Sequence, residues 1–176
     1  MRLPTLLSPG ALEDLAALAA ASPAGGCFVE VGVYQGGSAQ RLAEVAAAQG
    51  RALYLYDTFK GIPVQGPHDH HQVGDFGDAD AQAIRAAIPG AVVVEGVFPQ
   101  SIVPMPPVAF AHIDCDQYAS IAGAIMSLQA LLMPGGAMLF DDYGCLEGAT
   151  RAVHDLIGQP RLRFTRCGKA YWVKEG

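Results

Sequence analysis

The chain has 176 residues and a formal net charge of −6, with 51% apolar and 16% charged residues. That length suits one domain with a substantial core, and that composition excludes a disordered chain. The acidic balance argues against nucleic acid or an anionic membrane as partner, and no apolar run reaches transmembrane length.

Apolar runs and helix-like stretches alternate along the chain. Residues 8–21 read as an Ala/Leu-rich helix, with Ser8 as cap and Pro9 at the first helical position. CFVEVG (27–32) is the first buried strand, and the next helix, SAQRLAEVAAAQ, opens after Gly36. RALYLYD (51–57) is the second strand. Residues 58–77 form a long loop rich in Gly, Pro and His, and loops of this length usually serve a function. A helix over 78–88 leads to a third strand at 91–96. VAFAHIDCD (108–116) and GAMLFDDY (136–143) are further strands, with the helix-like YASIAGAIMSLQALLMPGG between them. A helix over 147–157 follows. LRFTRC (162–167) and AYWVKE (170–175) then pair as a hairpin around a two-residue Gly168-Lys169 turn. This order predicts a doubly wound, mostly parallel seven-stranded sheet with a C-terminal antiparallel hairpin, in a single domain over 1–176. The four cysteines, Cys27, Cys115, Cys145 and Cys167, lack metal-type spacing and read as reduced, mostly buried thiols. The basic residues of 151–174 read as a solvated face.

Two features carry chemistry. The first strand runs into Glu30-Val31-Gly32-Val33-Tyr34-Gln35-Gly36, whose glycines allow a tight turn and close approach to a ligand. Tyr34 stands where a dinucleotide fingerprint has its second glycine, which disfavours a pyrophosphate. Asp57 ends the second strand, where an acid typically accepts hydrogen bonds from ribose hydroxyls. Together these point to a nucleoside cofactor lacking a pyrophosphate. The other feature is the pair of strands ending in carboxylates. Parallel neighbours would bring Asp114, Asp116, Asp141 and Asp142 to the carboxyl edge of the sheet, where such sheets bind ligands. Four carboxylates there repel one another unless a cation neutralises them, and all-oxygen donors suit Mg²⁺, Mn²⁺ or Ca²⁺ rather than zinc, with Mg²⁺ the first choice. The competing structural reading makes Asp114 or Asp116 a cap for the following helix and Asp141–Gly144 an ordinary turn.

The segments FVEVGVYQGGSA, LYLYDTFKGIP, VGDF, IDCDQY, PGGAMLFDDYG and GATRAVHDL resemble class I S-adenosylmethionine-dependent methyltransferases, and more narrowly the macrocin O-methyltransferase family. The resemblance implies a Rossmann-like fold and transfer of a methyl group to a hydroxyl of a sugar, vicinal diol or phenol. It implies that Glu30, Gly32 and Gly36 shape the pocket for the methionine portion of S-adenosylmethionine, with Asp57 on the ribose. It makes Asp114, Asp141 and Asp142 the ligands of a divalent cation, with Asp114 also bordering the cofactor, and Asp116 the general base. Cys115 departs from a common glycine and His112 from a common arginine.

Other readings remain at this level. A nicotinamide oxidoreductase and a non-catalytic cofactor-binding domain are the alternatives. The His68–His71 run in the long loop could meet a metal or substrate or simply be solvated. Gly96 and Phe98 could border a base ring or belong to the core. About twenty-five residues precede the first strand, so loop 58–77 is the expected lid over the site and a second subunit a further wall. The partner is a small-molecule acceptor, and the compartment expected is the cytoplasm.

Overall fold

The structure, a computed structural model, describes residues 2–176. Helix α1 (Pro9–Ala20) precedes β1 (Cys27–Val31), α2 (Gly37–Ala48) and β2 (Leu53–Asp57). Then come α3 (Ala81–Ala87), β3 (Ala91–Glu95), β4 (Val108–Ile113), α4 (Tyr118–Leu131) and β5 (Leu132–Phe140). Helix α5 (Glu147–Leu156), β6 (Arg163–Phe164) and β7 (Ala170–Val173) close the chain. The strands form one seven-stranded sheet in the order β3-β2-β1-β4-β5-β7-β6. Strands β1 to β5 are parallel, and β7 runs antiparallel between β5 and β6.

The chain winds outward from β1 to β3, then returns to lay β4 on the other side of β1. That reversal creates a crevice at the carboxyl ends of β1 and β4, the usual ligand position in such sheets. Both strands are buried along their whole length, as a central parallel strand covered on two faces must be. Period-two alternation splits their side chains between two cores. Val29, Val31, Ala111 and Ile113 face α4 and α5 through Ile121, Ile125, Leu128 and Val153. Phe28 and Phe110 face the opposite layer with Leu15 of α1, Leu42 of α2 and Ile84 of α3. Their rings meet edge to face at 6.0 Å.

Several boundaries differ from the sequence reading. Strands β4 and β5 stop at Ile113 and Phe140, just before the acids that the sequence reading included in them. Helix α4 ends at Leu131, and the Pro-Gly-Gly segment that looked helical already belongs to an irregular start of β5. Ser8 does cap α1, accepting from Ala11 N–H at 3.2 Å, with Pro9 opening the helix. The C-terminal hairpin has a three-residue loop, Arg166-Cys167-Gly168, rather than a two-residue turn. Thr165 and Lys169 already pair across it, Thr165 N–H donating to the Lys169 carbonyl at 2.9 Å, and Gly168 takes the left-handed conformation (φ 82°) that this loop type needs. All four cysteines are free, but only Cys27 is fully buried, while Cys145 and Cys167 are exposed. Among the described residues no helix is long and apolar enough to cross a membrane.

Candidate active site

The two strand ends bring the acids together. Ile113 pairs with Phe140, and Asp141 N–H donates to the Ile113 carbonyl at 3.1 Å, so the residues beyond both strands stay neighbours. Asp114, Asp141 and Asp142 each offer an oxygen within 4.8 Å of one another. Asp116 sits beside them in a left-handed backbone conformation (φ 63°), its N–H donating to Asp142 Oδ2 at 3.2 Å. Burial and mutual repulsion raise these carboxyls. Asp116 is pushed to about 6, by burial and then by Asp141 and Asp57. Asp142 is pushed to about 7, by burial and then by Asp116 and Asp141. Asp114 is also raised well above the usual carboxylate range, first by burial and then by Asp142, Asp141 and Asp116. One cation already reaches the group: Lys169 Nζ lies 2.9 Å from Asp141 Oδ1 and donates to the Asp141 carbonyl at 2.8 Å.

The glycine loop lies against this edge. Gly32 has φ 90°, and a Cβ there would collide with the Asp114 carbonyl oxygen, so only glycine lets the β1 and β4 loops touch. Asp57 bolts this loop to its own. Its Oδ2 accepts from Val33 N–H (2.7 Å) and Tyr34 N–H (2.8 Å), and its Oδ1 accepts from Phe59 N–H (2.7 Å). Asp57 therefore lines the cavity while already holding three backbone donors. The cavity is bordered by Val31, Gly32, Asp57, Gly96, Phe98 and Asp114, with Cys115 and Asp116 on the acid side. Phe98 is both wall and core, packed edge to face on Tyr56 at 4.9 Å.

Two expected cofactor residues lie elsewhere. Glu30 is fully buried in mid-sheet on the α1–α2 side, its Oε1 2.8 Å from His112 Nδ1 across the β1–β4 ladder. Period-two alternation turns it away from the cavity that Val31 and Gly32 reach. Gly36 caps α2 with φ 87°, and a Cβ there would strike Ile84 and Leu3. Its smallness serves packing here.

Loop 58–77 folds over the opening. Ile62 N–H donates to the Asp75 carbonyl at 2.9 Å and Gly74 N–H to the Ile62 carbonyl at 3.0 Å, closing the loop on itself. Ile62, Pro63 and Phe76 complete the cavity wall. Asp69 does the capping assigned from sequence to Asp114 or Asp116: its Oδ1 accepts from Tyr118 N–H at 2.8 Å at the start of α4, and its Oδ2 from Gly66 N–H at 2.7 Å. A Cβ on Gly148 of α5 would strike Asp69 Oδ1, the oxygen that holds Tyr118 N–H. Buried Gln117 donates to the His71 carbonyl at 3.2 Å. The histidines do not form one cluster. His68 pairs with Glu147 at 3.2 Å, while the His71 ring lies between Asp75 (3.8 Å) and Asp116 (4.0 Å) and packs on Phe76 at 4.9 Å.

The donor chemistry fits two groups. A mostly apolar cavity with a few convergent polar atoms suits a nucleoside-bearing small molecule. Three carboxylate oxygens at one spot suit a hard divalent cation. Sequence reading missed Lys169, Gln117 and Asp69 because each acts across the chain. The place of Lys169 follows from the pairing of β5 with β7, which sets it opposite Asp141 and which no local pattern reports.

Residues 29–143 match a family model described as a methyltransferase domain. The chain is 28% identical over 154 residues to the 8-demethyl-8-(2,3-dimethoxy-alpha-L-rhamnosyl)-tetracenomycin-C 4'-O-methyltransferase of Streptomyces olivaceus, a match covering 76% of this chain. It spans 59% of the length of that relative. Among solved structures, the O-methyltransferase NovP superposes with a TM-score of 0.83 at 20% identity, covering 98% of this chain and 82% of NovP. CalS11, a calicheamicin methyltransferase, superposes with a TM-score of 0.69 at 21% identity, covering 93% and 77%. At these identities the structures establish a shared Rossmann-like fold.

Proposed function

The chain belongs to the methyltransferase-domain family that its residues 29–143 match, and from that premise we propose that it moves a methyl group from S-adenosylmethionine to a hydroxyl of a small molecule, with a divalent cation, magnesium, at the acid cluster. The observation that carries this is that one residue, Asp114, belongs both to the cavity wall and to the carboxylate cluster. A cofactor in the cavity and an acceptor at the cluster would therefore be neighbours.

Bound there, S-adenosylmethionine supplies an electrophilic methyl on sulfur, and the cation supplies Lewis acidity toward an acceptor hydroxyl. The chain's own residues do the rest. Asp57 holds the glycine loop as one wall, and Val31 and Phe98 keep that wall apolar. Asp114, Asp141 and Asp142 would hold the cation. Asp116, whose N–H reaches Asp142 Oδ2 beside the carboxylate cluster, is the group placed to take a proton from an acidified hydroxyl. Ile62, Pro63 and Phe76 add apolar wall to the cavity and narrow the access of water to it.

A deoxysugar hydroxyl is the first acceptor class to try. The Streptomyces olivaceus relative is named for a rhamnosyl-bearing substrate, and CalS11 is named as a TDP-rhamnose 3'-O-methyltransferase. Tyr34, left-handed where a dinucleotide loop has glycine, weighs against the nicotinamide alternative. The test is incubation with S-adenosylmethionine and Mg²⁺ against a panel of rhamnosides, nucleotide-linked deoxysugars and catechols, read by mass spectrometry. A methylated sugar supports the proposal; methylation of catechols alone would move the acceptor class to phenols; no transfer to any hydroxyl would defeat it.

A further inference from the structure

The β6–β7 turn carries an ammonium into the acid cluster, and the sheet register fixes it there. Phe140 of β5 pairs with Ala170 of β7, so in this antiparallel ladder the next position sets Asp141 opposite Lys169. Thr165 clamps the turn from the other side, its N–H donating to the Lys169 carbonyl at 2.9 Å and its hydroxyl accepting from Lys169 N–H at 3.2 Å. Lys169 Nζ donates to the Asp141 carbonyl at 2.8 Å and stands 2.9 Å from Asp141 Oδ1, off the axis of a hydrogen bond to that oxygen. Both side chains are largely shielded, at 23% and 13% exposure. The contact is therefore not a loose surface pair. Among the described residues, the other ion pair at this edge is the distant one from His71 to Asp116, at 4.0 Å.

We propose that Lys169 is a specificity-determining residue of the cation site, restricting Asp141 to a single ligand oxygen and so favouring Mg²⁺ over Ca²⁺. This rests on the cation reading given above. A dication sharing Oδ1 would sit against the ammonium, and the repulsion leaves Oδ2 as the oxygen Asp141 can offer. Mg²⁺ accepts this readily, because it takes six ligands, keeps several waters and binds carboxylates through single oxygens. Ca²⁺ takes six to eight oxygens and often holds carboxylates by both, so it loses more. The positive charge of Lys169 weakens both ions alike, and the ratio of their affinities isolates the effect of the blocked oxygen.

The experiment titrates Mg²⁺ and Ca²⁺ separately into the purified, substrate-free protein by calorimetry, for the wild type, Lys169→Met and Lys169→Arg. Lys169→Met should tighten both ions and shift the affinity ratio toward Ca²⁺ by about tenfold, while Lys169→Arg keeps a cation on Asp141 and stays near the wild-type ratio. Should Lys169→Met fail to fold, Lys169→Gln removes the charge while keeping a donor for the Asp141 carbonyl. A lysine that merely anchors the hairpin would lower the melting temperature on substitution but leave the ratio alone. An unchanged ratio in a folded, cation-binding variant overturns the inference and leaves the cation reading standing. Absence of binding by either ion in every variant overturns both.

Discussion

Replacing Asp57 by alanine tests whether this acid is a clamp or a ligand-holding group. Its carboxylate accepts three backbone N–H groups at 2.7–2.8 Å, from Val33, Tyr34 and Phe59. Each donor left unpaired in a buried place costs about 1–3 kcal/mol. The loops border an opening that water can reach, so the lower end applies, giving about 3 kcal/mol in total. A domain of this size holds about 5–15 kcal/mol, so the variant should fold but melt lower by about 6–12 °C. Urea denaturation measures the stability loss, and calorimetry with S-adenosylhomocysteine measures binding, which should weaken by more than about tenfold because the glycine loop loses its tether. Asp57→Asn, which keeps one acceptor oxygen, should fall between. A variant within about 0.5 kcal/mol of wild type would refute the clamp. If that stable variant also lost the cofactor, Asp57 would act by touching the ribose, as its place after β2 suggested.

Other perturbations follow from the same contacts. Asp116 and Asp142 sit at about 6 and about 7 against an ordinary 3.8, so the native protein binds more protons than the unfolded chain between those values. The stability they give is full below about pH 4 and is lost as pH rises through 6 to 7; denaturation in chelator should show this fall, with a shallower slope in Asp142→Asn and in saturating Mg²⁺. A slope equally steep in all three conditions would contradict it. Asp69→Ala and Gly148→Ala should each unseat the loop at α4, speeding hydrogen exchange in residues 58–77 and lowering stability by about 1–2 kcal/mol; unchanged exchange in both would count against the latch. Asp116→Asn should cut methyl transfer by about 10²–10⁴-fold with cofactor binding intact, and a milder loss would assign the base elsewhere.

The sheet was legible because β1 and β4 are apolar runs broken only by Glu30 and His112 and the helices between them are Ala-rich. The acid cluster was legible for a related reason: parallel neighbours with acids at their carboxyl ends must meet. Pattern does not report which side of a strand a single polar residue faces once both faces are buried, so nothing in it checked the resemblance that set Glu30 at the pocket, and Glu30 pairs with His112 inside the sheet. Gly36 shows the same limit, since glycine marks close approach without saying to what, and here the neighbours are Ile84 and Leu3. Asp69, Gln117 and His71 could not be placed, because their partners come from segments some fifty residues away or from the adjoining loop. Lys169 was read with the solvated basic residues, yet its neighbour Ala170 pairs with Phe140, one step before Asp141.

The central claim is that the cavity between Gly32, Asp57 and Phe98 takes S-adenosylmethionine. The most direct measurement is calorimetric titration of the purified protein with S-adenosylhomocysteine, with NAD in a parallel cell. The account predicts one S-adenosylhomocysteine bound per chain at micromolar concentration and no heat from NAD. Binding of NAD by folded protein that ignores S-adenosylhomocysteine would contradict it.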